Sequence, residues 1–178
     1  MMIFEETPLL GAYTIDPEPL VDDRGAFLRL FCRREFEAHG LNTALAQCSM
    51  SYSRRQGTLR GLHYQRPPHA EVKLVRVTRG AVFDVIVDLR SNSHTFKRWY
   101  GVELTAENRR MLYVPEGFAH GIQTLQDDTE LFYQMSEFHH PESAAGVRWD
   151  DPAFRIVWPS VPKRIMHERD RTYPDFLP

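Results

Sequence analysis

Val72-Lys73-Leu74-Val75-Arg76-Val77-Thr78 and Ala81-Val82-Phe83-Asp84-Val85-Ile86-Val87-Asp88-Leu89 form the stretch that decides the fold, with only Arg79-Gly80 between them. Both runs are rich in β-branched residues, which fit a pleated, half-buried surface. In the second run Phe83, Val85 and Val87 share one face, and Asp84 and Asp88 share the other. That alternation predicts a half-buried antiparallel strand, and Arg79-Gly80 predicts a hairpin turn. In the first run Lys73 has the parity of Val75 and Val77, so its ammonium is expected to point inward.

Outward from this pair the texture from about Ala46 is strand after strand. Residues 99–104, 111–114, 121–125 and 129–136 read as further strands, and Tyr133 shares parity with Leu131 and Met135. Thr105-Ala106-Glu107-Asn108 and Gln126-Asp127-Asp128 read as the turns between them. Asp22-Asp23-Arg24-Gly25 is an earlier turn signal, and residues 33–39 form a short helical pattern that Gly40 stops. Pro141, Pro152, Pro159, Pro162, Pro174 and Pro178 crowd the last forty residues, which are expected to wrap the sheets without joining them. Many short strands at regular spacing predict a β-sandwich or barrel, and no internal repeat divides residues 1–178 into more than one domain.

Composition narrows the function. The 178 residues are 42% hydrophobic, enough for a sizeable core, and 12% aromatic, a supply suited to ring-binding pockets. A formal charge of −2 with both signs interspersed gives no basic stripe for nucleic acid. No apolar run reaches membrane-spanning length and the N-terminus has no signal-peptide pattern, so a cytoplasmic location is expected. Cys32 and Cys48 are read as two small buried residues in a reducing compartment, without a disulfide.

Four ionisable side chains fall on or beside strands: His63, Lys73, His120 and Tyr133. Pro115-Glu116-Gly117-Phe118-Ala119-His120 is similar to the second half of the cupin metal signature. Where the first half needs His-x-His, the chain has His63-Tyr64-Gln65, so too few ligands converge and no catalytic metal is expected. A His, a Lys and a Tyr suit proton abstraction beside a carbonyl, as base, enolate-oxygen stabiliser and acid. Parity alone sets Arg60 and His63 on opposite faces, unless the strand bulges at Gly61, where a bulge costs least.

The chain resembles the dTDP-4-dehydrorhamnose 3,5-epimerase family over nearly its whole length. The matching segments begin with Asp23-Arg24-Gly25-Ala26-Phe27, Gly57-Thr58-Leu59-Arg60-Gly61-Leu62-His63-Tyr64-Gln65 and Lys73-Leu74-Val75-Arg76-Val77. They continue with Val82-Phe83-Asp84-Val85-Ile86-Val87-Asp88-Leu89-Arg90 and Pro115-Glu116-Gly117-Phe118-Ala119-His120-Gly121, and end with Arg148-Trp149-Asp150-Asp151-Pro152 and Ile156-Val157-Trp158-Pro159. The resemblance implies a cupin-type double-stranded β-helix, or jelly roll, acting as a homodimer on a nucleotide-sugar without cofactor or metal. It implies that His63 is the base, Asp170 its orienting partner, Lys73 the enolate stabiliser and Tyr133 the acid. Arg60 and His120 would line the sugar and phosphate site, Arg24 and Gln47 would contact the nucleotide, and Phe27 would pack near the base.

Three positions depart from the family pattern. Arg29 stands where Glu is usual, Ser49 where Asn is usual, and Phe138-His139 where two Tyr are usual. Arg29, Ser49 and Phe138 therefore bear on nucleotide and sugar specificity. The leading reading is epimerisation of dTDP-4-dehydro-6-deoxy-D-glucose at C3 and C5. Epimerisation at C3 alone, or of a GDP- or CDP-linked keto sugar, is the alternative; a non-catalytic sugar-binding cupin and a metal-dependent cupin dioxygenase are further ones.

Overall fold

The structure is a computed structural model, and it describes residues 1–177; Pro178 lies outside the described residues. In chain order the strands are β1 (Met2–Glu6), β2 (Tyr13–Pro17), β3 (Leu20–Asp22), β4 (Gly25–Phe27), β5 (Gln47–Ser53), β6 (Leu59–Gln65) and β7 (Lys73–Arg79). They continue as β8 (Ala81–Asp88), β9 (Trp99–Thr105), β10 (Met111–Val114), β11 (Phe118–Thr124), β12 (Thr129–Met135) and β13 (Ala144–Gly146). Two short helices, α1 (Arg33–Ala38) and α2 (Glu168–Arg171), complete the set. Gly40, at φ +68, ends α1 with its N–H on the Glu37 carbonyl, as the sequence predicts.

Two antiparallel sheets face each other, ordered β1-β2-β10-β7-β12-β5 and β13-β6-β11-β8-β9, and β3-β4 form a separate two-stranded arm. This is the cupin-type jelly roll. Val75, Val77, Leu112, Val114 and Leu131 of the first sheet pack against Val82, Ile86, Leu104, Phe118 and Ile122 of the second. Each sheet also has an outer cover. Phe36 of α1 packs with Ile15, Leu74 and Met111 over the first, and Phe154 and Trp158 pack with Leu62, Val85 and Val87 over the second. No helix among the described residues is long and apolar enough to cross a membrane.

The structure corrects four expectations. Arg79-Gly80 is not a hairpin turn, because β7 and β8 belong to different sheets and the junction carries the chain from one to the other. Gly80, at φ +77, makes that corner against Thr129, and an added Cβ would lie 2.4 Å from the Thr129 hydroxyl. β8 is not half-buried either: Asp84 and Asp88 share its inner face with Val82 and Ile86, while the C-terminal cover hides the other face. The proline-rich tail does join a sheet, since β13 pairs with β6 and Ile165 bridges Thr58. Cys48 is exposed, not buried; Cys32 and Cys48 are both free thiols.

Candidate active site

The site begins with one irregularity in β6. His63 pairs with His120 of β11, yet Arg60 pairs with Ile122, so Gly61 and Leu62 together face the single Gly121. This bulge resets the alternation. Leu59 and Leu62 both point into the outer layer, whereas Arg60 and His63 both line an inner cavity of about 500 Å3. Gly61 allows it with φ +124 and close approach: an added Cβ would lie 2.5 Å from Gly121 Cα.

His63 Nε2 lies 2.8 Å from Oδ1 of Asp170, which α2 brings back across the cavity mouth. The Gly61 N–H donates to the other carboxylate oxygen, at 3.1 Å. Burial pushes the Asp170 pKa up, but hydrogen bonds from His63 and Gly61 outweigh it and hold the carboxyl below its usual range. An ionised carboxylate only accepts, so Nε2 carries the proton of this bond and Nδ1 is left with the lone pair. Arg169 Nη2 also sits 3.3 Å from Nε2. Because one ring nitrogen cannot serve both neighbours, the guanidinium is not a hydrogen-bond donor to His63; its Nε donates instead to Asp170 Oδ1, at 3.4 Å.

The opposite wall comes from the other sheet. Lys73 on β7 and Tyr133 on β12 line the same cavity as His63 on β6 and His120 on β11. Lys73 points inward, as parity predicts, and its ammonium is paired with Glu71 at 3.1 Å. The Tyr133 hydroxyl is 3.0 Å from Ser51 Oγ, and burial pushes its pKa up to about 12, so the phenol keeps its proton. His120 Nε2 reaches both oxygens of Asp84, at 2.9 and 3.0 Å, in a buried pair. Burial pushes the Asp84 pKa up against the pull of His120 and Lys73. Arg60 is fixed through Ser53 Oγ and the Tyr52 carbonyl.

His63, Lys73, Tyr133, Asp170, Arg60 and His120 are thus brought together in one cavity. The remaining expected contacts are not. Arg24 and Phe27 lie on the exposed arm, Arg24 paired with Asp22, and Arg29 pairs with Glu35 at 3.7 Å. Gln47 accepts the His139 N–H at 2.7 Å, Ser49 is exposed opposite Tyr133, and Phe138 is 58% exposed. None of these six lines the cavity formed by the described residues. Reading the sequence alone missed Ser51, Glu71, Asp84 and Arg169. Arg169 had a signal, since it adjoins Asp170; Ser51 and Asp84 had none beyond strand parity, and Glu71 lies outside its strand.

A sequence model of the family described as dTDP-4-dehydrorhamnose 3,5-epimerase matches residues 6–177. The dTDP-4-dehydrorhamnose 3,5-epimerase of Methanothermobacter thermautotrophicus is 46% identical over 172 residues, covering 96% of this chain and 92% of that protein. A crystal structure of the enzyme of that name from Bacillus anthracis, with TDP and PPi bound, is 41% identical with a TM-score of 0.94, covering 99% of this chain and 100% of that one. A Legionella pneumophila dTDP-6-deoxy-D-glucose-3,5-epimerase in complex with dTDP-4-keto-L-rhamnose is 36% identical with a TM-score of 0.90, covering 96% of this chain and 90% of the other.

Proposed function

The chain belongs to the dTDP-4-dehydrorhamnose 3,5-epimerase family, and from that premise we propose how its own residues invert C3 and C5 of dTDP-4-dehydro-6-deoxy-D-glucose. It is an epimerase, hence an isomerase. Both carbons flank the C4 ketone, so loss of either proton gives an enolate whose charge rests on the C4 oxygen. His63, with Nδ1 free, takes the carbon-bound proton, and Asp170 holds the resulting imidazolium. Lys73 holds the enolate oxygen. Tyr133 returns a proton from the other side. Arg60 and His120 bind the sugar and phosphates.

One observation carries this reading: base and acid stand on different sheets across one cavity. Inversion needs removal from one face and return to the other, which two groups on one wall could not supply. In D₂O the product should carry deuterium at both C3 and C5, and His63→Ala should lose roughly a thousandfold or more in rate. No incorporation with this substrate would sink the proposal; deuterium at C3 alone would mark the single-centre alternative.

The arm supports a homodimer. Leu20, Val21 and Phe27 are 68%, 74% and 66% exposed on a two-stranded ribbon that extends neither sheet. Apolar side chains so presented are suited to burial against a second copy. In the proposed dimer the arm's Arg24 and Phe27, with Arg29, complete the nucleotide end of the neighbouring cavity.

A further inference from the structure

Outside the cavity one cluster of metal-ligating side chains has no part in the epimerase chemistry: His69, His140 and Glu142, whose donor atoms lie within 4.8 Å of one another. The two imidazoles are stacked, with centroids 3.4 Å apart and planes at 12°. Glu142 Oε1 is 3.1 Å from His140 Nδ1.

The backbone beneath the cluster is already fixed. His69 belongs to the loop after β6 and His140 to the loop after β12, and the buried Gln65 side chain ties the two together. Its Nε2 donates to the carbonyls of His69 and Phe138, both at 3.0 Å, and its Oε1 accepts the His140 N–H at 2.6 Å. The Arg66 N–H donates to the Ser143 carbonyl at 2.9 Å and closes the same junction. Parallel rings hold their lone pairs side by side, so they must splay before both can meet one ion. That movement is a rotation about χ2, a broad and inexpensive torsion.

We propose that His69, His140 and Glu142 bind one borderline divalent transition cation of the zinc class, as a structural clasp between the β6–β7 and β12–β13 loops. Two imidazole nitrogens and one carboxylate oxygen are the donor types such ions take, and they disfavour magnesium or calcium, which prefer all-oxygen shells. The clasp lies beside a second recess of about 460 Å3, whose wall includes His139 and Pro141 and which reaches His63 and Lys73. Its role is to stiffen that wall. It supplies no group to the reaction.

The test uses full-length, tag-free protein stripped with a chelator and titrated with zinc(II) by calorimetry, and with copper(II) by electron paramagnetic resonance. One equivalent should bind, and His140→Ala or Glu142→Gln should weaken it by about tenfold or more. Zinc should raise the melting temperature of the wild type, and that of His140→Ala by less. The copper spectrum should show coupling to two nitrogens, and to one in His69→Ala. Should a variant be poorly folded, Glu142→Gln, changed at an exposed carboxylate, keeps the comparison available. No binding, or binding that survives the double substitution His69→Ala/His140→Ala, would overturn the proposal.

Discussion

Gly61 sets the direction of two functional side chains at once. Its φ of +124, and the 2.5 Å at which an added Cβ would meet Gly121 Cα, leave no room for a methyl group. In Gly61→Ala the strand must straighten or separate from β11, and either movement turns Arg60 or His63 away from the cavity. A displacement of about an ångström in a catalytic group costs on the order of a hundredfold in rate, so kcat should fall by at least that much. Rates within tenfold of wild type would show that the bulge is not what aims the base. Neighbouring residues differ in how much of this was legible. Lys73 was read correctly as inward because Val75 and Val77 fix its parity. Its counter-ion Glu71 was not, because a residue outside the strand has no periodicity to follow.

β8 shows the limit of periodic reading at the scale of an element. Alternation separates Phe83, Val85 and Val87 from Asp84 and Asp88, but it cannot say what lies across each face. Here both aspartates face the inter-sheet core, but they are answered differently: the partner of Asp84 is His120, 36 residues away, whereas those of Asp88 are close in sequence. Asp88 accepts from the backbone N–H and guanidinium of Arg90 and from the hydroxyls of Ser93 and Thr95, closing the loop to β9. Burial alone would push its pKa up; these bonds prevail and lower it to about 2.

A lowered carboxyl pKa stabilises the fold above the unfolded-state value near 3.8, and that stabilisation is lost as the pH falls through about 2. The shift is worth about 2 kcal/mol. Asp88→Asn should therefore melt well below the wild type at neutral pH, and the gap should close in acid. A gap of constant size across that range would mean that the ionised carboxylate is not its cause. The Arg79-Gly80 junction teaches the same lesson as the aspartates. A two-residue link between strands looks alike in sequence whether it closes a hairpin or turns a corner between sheets.

At the scale of the molecule the arm is the feature that one chain leaves unfinished. If it completes the neighbouring cavity, subunits disabled in different places should repair each other. A His63→Ala subunit retains its arm, and an Arg24→Ala/Phe27→Ala subunit retains its base. Mixed at equal amounts and allowed to exchange, the two should recover roughly a quarter of wild-type activity, because half the dimers are mixed and each has one whole site. No recovery, with exchange verified by mass, would mean that each arm serves its own chain. The sheets, the inward Lys73 and the His–Lys–Tyr set were legible in the sequence; the exposed apolar face of the arm was not, because residue order along one chain does not record which strands stay outside its sheets.

The position of Asp170 has a consequence for the order of events during synthesis. A ribosome delivers His63, Lys73, His120 and Tyr133 well before α2, so the sheets are available to pair while the base still lacks its partner. Gly61 likewise waits for the Asp170 carboxylate that accepts its N–H. In the proposed mechanism a nascent chain therefore lacks an oriented base until α2 has emerged and docked, and a protease that removes α2 takes that orientation away.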